Sequence, residues 1–436
     1  MILYVHPDSK MMLRCILPMS LPAVINRIDA PVLGRYHDEW TKYEVRRADV
    51  IIMDIHWFTA MKSAIELSCR FKKINPEAVI IAGGVSASVF RKQLLRDSKI
   101  DYLIRGDGEI PLAEFVRIYQ EGGDLSLVPN LACKDWESEN QYSLSKEDFD
   151  ANDYRDISFF PSLKKILLRL HKTCNGKAYP TYPHLMVFRG CPLHCHCCYG
   201  TPENQKRVFG RSWVVRSPER IRDDLRAWSR APSIQYLNIF HEFTGTMPMD
   251  YTRTVLSENY NLFIAWDIVV PPSKEALELL TQSFLGGAIQ FSLDARHTTS
   301  QKLESVELLI DRIRQVQKTK RFMVRLCYAK RFLDASPEYA RALQNVHKAT
   351  NCALCRTDSW WGDDLEPNPN GLCSEMQYQQ CLKDTGKYSL WNMMYSTGVA
   401  THARLPNFTQ KTSEIIYNHL GDSFFLKKLI AGKHPD

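Results

Sequence analysis

Long apolar runs are missing from this sequence: no stretch approaches the roughly 20 consecutive apolar residues that cross a bilayer. The start, Met-Ile-Leu-Tyr-Val-His-Pro, has neither the basic opening nor the small-residue cleavage site of a secretory signal. A cytoplasmic protein is therefore expected, with no membrane partner. A basic stripe is missing too. The 56 Lys and Arg against 49 Asp and Glu leave a net charge of +7, and the cations are scattered. Nucleic-acid binders cluster such charge, so nucleic acid is not an expected partner. The modest excess suits an anionic cofactor or a small-molecule substrate. No Gly-x-Gly-x-x-Gly follows a strand, so the dinucleotide fingerprint is absent. What the chain does have is length and thiols. Its 436 residues allow two or three domains with sizeable cores. Its 13 cysteines, in a chain expected in a reducing compartment, point to metal or free thiols rather than disulfides.

Four of those thiols are concentrated in Arg189-Gly-Cys-Pro-Leu-His-Cys-His-Cys-Cys-Tyr-Gly200, after an apolar stretch at His184 to Phe188. Cys191, Cys195 and Cys198 follow a Cys-x3-Cys-x2-Cys spacing on one short loop and can face a single iron–sulfide cube. Cubane clusters normally take four cysteines, so three would leave one iron open to a substrate. A redox enzyme is the first reading. Zinc is the alternative, with Cys197, His194 and His196 as further donors. Structural zinc usually ties together two separated ligand pairs, whereas these donors lie within eight residues. Unligated thiols are the remaining option.

The spacing, after a strand and closed by Tyr199, resembles the radical S-adenosylmethionine (SAM) superfamily. The resemblance implies a [4Fe-4S] cluster on Cys191, Cys195 and Cys198, with SAM chelating the open iron and yielding a 5′-deoxyadenosyl radical. Cys197 stands where that family usually has an aromatic residue, and Tyr199 follows instead.

The first 130 residues alternate short apolar runs with helix-length segments. The runs are Ile2 to Val5, Val50 to Ile55, Ala78 to Ala82 and Tyr102 to Ile104; Ala60 to Lys73 and Ser88 to Asp97 carry helical patterns. This order predicts βαβ units and a parallel sheet, which binds ligands at the carboxyl ends of its strands. Two loops at such ends are candidates: Gly83, Gly84, Val85 and Ser86, and then Arg105, Gly106, Asp107 and Glu109. Glycines there let backbone approach a bulky ligand; taken singly, each loop also reads as a tight strand-to-helix turn. Upstream of the cysteine loop, the order resembles the cobalamin-binding domain of cobalamin-dependent radical SAM enzymes. Cobalamin proteins that ligate cobalt through histidine carry Asp-x-His-x-x-Gly after the first strand, where this chain has His6-Pro-Asp-Ser9. Asp54 and His56 match Asp-x-His on a later strand, with Thr59 in place of glycine. Histidine ligation is not expected, and His56 is read as lining the pocket or as an ordinary hydrogen-bonded histidine.

Residues 131–180 read as a connector. Beyond it, strands are expected at His184 to Arg189, Ile234 to Phe240, Leu262 to Val270, Ala288 to Leu293 and Phe322 to Tyr328. Helical patterns at Pro218 to Trp228, Lys274 to Gln282 and Leu303 to Val316 fill the gaps. This fits the partial (β/α) barrel that the resemblance implies, with chemistry at the strand ends. By the same resemblance Glu242 would hold the SAM amino group, Ser292 and Asp294 the ribose, and Arg325 the SAM carboxylate. Each of the four equally suits a structural salt bridge or cap. Cys352, Cys355, Cys373 and Cys381 could form an auxiliary metal site, against ordinary burial. Trp360, Trp361 and Trp391 could wall a substrate pocket or belong to the core.

The expected architecture is α/β: an N-terminal doubly wound parallel sheet (1–130), a connector (131–180), a partial (β/α)6 barrel (181–350) and a small C-terminal region (351–436), possible site of substrate binding. The expected activity is that of a cobalamin-dependent radical SAM methyltransferase, with [4Fe-4S], SAM and cobalamin as cofactors. It would methylate an unactivated carbon or phosphinate of a small molecule, with an external one-electron donor such as flavodoxin or ferredoxin. Oxidation, cyclisation or ring contraction without methylation is the rival within enzymes; a zinc-binding interaction module is the rival from another class.

Overall fold

The computed structural model describes residues 1–9, 17–166, 183–193, 200–231, 234, 236–240, 242–293, 303–328, 336–356 and 367–383. Strands β1 (Ile2–His6), β2 (Val32–Tyr36), β3 (Val50–Asp54), β4 (Val79–Gly83), β5 (Tyr102–Ile104) and β6 (Leu131–Ala132) form one sheet in the order β2-β1-β3-β4-β5-β6. All neighbours are parallel except β5 and β6. All five residues of β1 and of β3 are buried, because the sheet is covered on both faces. That is why these strands read as continuous apolar runs rather than alternations. Tyr4, Ile52, Ile81 and Ile104 face one core; Leu3, Met53, Ile80 and Leu103 face the other.

The edge strand β2 was not legible in the sequence. It carries Gly34 at its centre, where the Phe159 carbonyl accepts a hydrogen bond from the Gly34 amide and would lie 2.8 Å from a Cβ. The connector, expected to pack against both domains, contributes to the first sheet. Its residues 131–132 supply the sixth strand, and Phe160 packs against Tyr4 and Tyr36 with ring centroids at 5.7 and 4.5 Å.

A short antiparallel ribbon, β7 (Phe188–Arg189) with β8 (Val214–Val215), leads into the second unit. There β9 (Tyr236–Ile239), β10 (Tyr260–Ile268), β11 (Phe284–Ser292), β12 (Phe322–Tyr328) and β13 (Ala353–Arg356) lie parallel in sequence order. The segment before β7 adds a sixth parallel neighbour: Leu185 donates to the Asn238 carbonyl at 2.8 Å, and Asn238 donates to that of Pro183 at 3.0 Å. Helices between the strands bury Leu237, Ile264, Trp266, Ile289 and Leu326 on one face. Tyr236, Ala265 and Ala288 form a separate small cluster on the other, with Phe263 against it. This is a second parallel α/β sheet, with its strands in sequence order.

The chain then returns. Residues 367–383 lie on the first sheet's outer core, where Cys373 donates to the Val89 carbonyl at 3.0 Å and Tyr378 packs on Phe90 at 5.5 Å. Among the described residues no helix is long and apolar enough to cross a membrane.

Candidate active site between the two sheets

The strand order 2-1-3-4-5 places a topological switch point between β1 and β3, and open sheets of this kind take ligands at that edge. A mostly apolar cavity lies there. From the first sheet it is bordered by Tyr4, Asp54, His56, Gly84, Gly106 and Gly108; from the second unit by His184, Met186, Arg189 and Phe240. The cavity itself amounts to about 260 Å³ and opens to solvent at its mouth, at the lower edge of the roughly 300–1,000 Å³ of ordinary small-molecule sites.

Gly83 and Gly84 stand at the end of β4. Gly84 has φ +108°, and a Cβ there would meet the His56 nitrogen and the Ile55 carbonyl carbon at 2.8 Å. The two loops are therefore back to back, joined by the Ser86 hydroxyl donating to the His56 carbonyl at 3.1 Å. Val85 borders the cavity, whereas the buried Ser86 serves this junction. His56 lines the cavity, and burial pushes its pKa down to about 4. It is a neutral imidazole at neutral pH. Below it, Asp54 accepts from the Tyr4 hydroxyl and pairs with His6 Nδ1 at 2.8 Å.

The second candidate loop behaves differently from the expectation. Its glycines Gly106 and Gly108 border the cavity, but its charged side chains are engaged elsewhere. Arg105 donates to Glu137 Oε2 at 3.1 Å and to the Ser138 carbonyl at 2.8 Å. Asp107 and Glu109 have fully buried side chains, and both receive Arg189, each at 2.9 Å. Arg211 adds two bonds to Asp107, at 2.7 and 2.8 Å. Burial raises the Asp107 carboxyl, but Arg189 and Arg211 outweigh it and the net shift is down; for Glu109 burial prevails and the net shift is up.

Cys191 follows β7 after a single residue, Gly190. Burial raises its thiol pKa, and the Leu193 amide donates to Sγ at 3.4 Å. Cys195 and Cys198 lie outside the described residues, as do Cys197, His194, His196 and Asp294. Glu242, just past β9, is 2% exposed and close enough to Cys191 to influence its thiol. Glu242 Oε1 accepts from the Thr244 hydroxyl and the Gly245 amide, both at 2.6 Å. Its Oε2 is buried with no hydrogen-bond partner among the described residues. Burial lifts this carboxyl to about 7, against those two hydrogen bonds.

Register joins three further side chains. Asp267 on β10 stands beside Gln290 on β11, which stands beside Arg325 on β12. Gln290 Nε2 donates to Asp267 Oδ1, and burial raises the Asp267 carboxyl to about 6. Ser292 ends the same row of β11, one step beyond Gln290, next to Cys327. Asp267 was not singled out from the sequence, although one acid in the apolar run Leu262 to Val270 is the signal that could have found it.

The four C-terminal cysteines do not assemble. Cys352 is buried in the second unit's core, with the Thr350 hydroxyl at 3.1 Å from its Sγ, while Cys373 and Cys381 lie in the first sheet's outer core. The Cys355 side chain, Trp360, Trp361 and Trp391 are outside the described residues. Among the described residues no three His, Cys, Asp or Glu converge as metal ligands.

No family model matches the chain. The solved radical SAM methyltransferase TsrM from Kitasatospora setae, with cobalamin and a [4Fe-4S] cluster bound, superposes with TM-score 0.58 over 81% of this chain and 74% of that one, at 15% identity. This chain shares its fold. At that identity the likeness is one of fold alone. Among curated relatives, the hopanoid C-3 methylase of Methylococcus capsulatus is 26% identical over 182 residues, 41% of this chain and 32% of that protein. The anaerobic magnesium-protoporphyrin IX monomethyl ester cyclase of Synechocystis is 22% identical over 252 residues, 56% of this chain and 48% of that protein. The chain thus matches 32% and 48% of the length of these relatives.

Proposed function

We propose that the chain is a cobalamin-dependent radical SAM enzyme that methylates an unactivated carbon, or a phosphinate, of a small molecule. The observation that carries the reading is the entry of the cysteine loop beside the cavity at the switch point: Arg189 and Gly190 border that cavity, and Cys191 follows them. The donors fit the groups. Cys191, Cys195 and Cys198 would hold the cluster. Glu242, with one buried oxygen unsatisfied, suits an ammonium donor such as the SAM amino group. Ser292 and Asp294 would take the ribose and Arg325 the carboxylate. The loops bearing Gly83, Gly84, Gly106 and Gly108, with His56, would border the corrin. When bound, these cofactors supply the reducing electron and the transferable methyl group. The protein's own part is to orient them, to keep the His56 side neutral and apolar, and to exclude water.

The external electron donor would be a small one-electron carrier such as flavodoxin or ferredoxin. The relative named as a cyclase supports a second reading, cyclisation in place of methyl transfer. Anaerobic reconstitution with iron, sulfide and hydroxocobalamin tests the proposal. Expected are about four irons per chain by the cluster stoichiometry, bound corrinoid, and reductive release of 5′-deoxyadenosine that Cys191→Ala and Cys195→Ala abolish. Zinc in place of iron would overturn it. Methyl-labelled SAM separates the two chemistries, since only methyl transfer carries label into product.

A further inference from the structure

We propose that Arg189 is a positioning residue, the centre of a buried ionic clamp that sets the first cluster cysteine against the cavity wall. The clamp uses the acidic loop that the sequence offered as a ligand contact. Arg189 Nη2 bonds Asp107 Oδ1 and its Nη1 bonds Glu109 Oε1, both at 2.9 Å. Arg211 holds the same Asp107 through Nε and Nη2, and its Nη1 donates to the Arg189 carbonyl at 3.2 Å.

The topology gives this arrangement its meaning. Arg189 lies on β7, where the chain leaves for the cysteine loop, and Arg211 lies just before β8, where the chain returns. Both ends of the excursion over 190–210 therefore close on one carboxylate. That carboxylate sits between Gly106 and Gly108, which border the cavity. Gly190, between Arg189 and Cys191, has φ +78°, and a Cβ on it would lie 2.6 Å from the Ser212 carbonyl oxygen. Side chain, carbonyl and following residue are all held, so Cys191 has little freedom to shift.

Energy alone does not account for such a cluster. Buried ion pairs roughly offset their own desolvation, and apolar side chains of like volume often stabilise as well. What charged forks add is direction, through paired, geometrically specific hydrogen bonds. Direction matters here because a displacement of about 1 Å between reacting groups can cost about 100-fold in rate.

The test begins on the apoprotein, where it is independent of any cofactor. Hydrogen exchange over residues 188–193 is expected to quicken at least about ten-fold in Arg189→Met, as an opening free-energy change of about 1.4 kcal/mol would give. Exchange in β10 to β12 should stay unchanged, and Arg189→Lys should recover part of the protection. If Arg189→Met proves too unstable to purify, Glu109→Gln, of the same shape, serves with the same readout. Unaltered exchange at 188–193 in the variant used overturns the clamp.

The second arm rests on the proposed function and uses the reconstituted enzyme. Iron content should stay within about two-fold, while kcat at saturating corrinoid falls about 100-fold with KM little changed. The magnetic coupling between reduced cluster and cobalt(II) should shift in the electron paramagnetic resonance spectrum. Unchanged kcat and coupling overturn the positioning role. A wild-type chain that binds neither iron nor corrinoid overturns the proposed function instead, and the exchange measurement then decides the clamp by itself.

Discussion

Asp267 shows how a single side chain acquires chemistry from its neighbours in register. Burial lifts its carboxyl to about 6, against the Gln290 amide and the Arg325 charge, which both favour the anion. The folded chain therefore keeps a proton between about pH 4 and 6 that the unfolded chain has released. Over that window the native state binds more protons, so stability falls as pH rises, by at most about 1.4 kcal/mol per pH unit. Below and above the window this group contributes no slope. Urea denaturation across the window should show wild type losing stability relative to Asp267→Asn as pH rises. Parallel curves would show that the carboxyl is ordinary. His184 and His56 tell the complementary story: both border the cavity and are held neutral by burial, at about 3 and about 4.

At the scale of elements, the ribbon β7–β8 is secured less by its two residue pairs than by one guanidinium. Arg216, just after β8, is fully buried. It bonds Asp224 of the helix Pro218–Arg230 at 2.6 Å and the Met186 carbonyl at 3.3 Å. Its charge lies 5.8 Å from the Phe149 ring centre and 5.0 Å from that of Tyr154. Arg216 thus ties connector, ribbon and helix. Arg216→Met should destabilise the protein by about 3 kcal/mol, since Asp224 is left buried without its closest partner. Adding Asp224→Asn should recover part of the loss. A double-mutant cycle in urea checks this, and strict additivity would show that the pair is not coupled.

At the scale of the whole molecule, the chain finishes its described course where it began. Residues 367–383 close the outer face of the first sheet, with Tyr378 fully buried against Phe90 and Glu375 paired to Arg96 at 3.0 Å. The exposed ion pair adds little; the tyrosine carries the docking. Tyr378→Ala should cost about 3 kcal/mol and open 367–383 to limited proteolysis while β10 to β12 stay protected. Equal cleavage of wild type and variant would show that the segment docks without it.

How legible this protein was depends on the range of the interaction concerned. Val50 to Ile55 and Ala78 to Ala82 announced themselves because strands buried on both faces must be apolar at every position. The Cys-x3-Cys-x2-Cys spacing of Cys191, Cys195 and Cys198 announced itself because it is a pattern within one short segment. Strand β2 did not, being an edge with a glycine where another backbone comes close. The C-terminal region was read as one unit, yet β13 (Ala353–Arg356) completes the second sheet and 367–383 covers the first.

By itself, then, the sequence determined the two parallel-sheet units, their order, and the cysteine spacing, all of which are properties of periodicity within a segment. Only the tertiary structure decided that Asp107 and Glu109 turn to Arg189 and Arg211 rather than to the cavity. It also decided that Cys352 and Cys373 belong to different cores, and that Asp267 meets Gln290. The reason is physical: a carboxylate's role is set by the charge that faces it, and which elements face each other is written in packing, not in the spacing of residues along one of them.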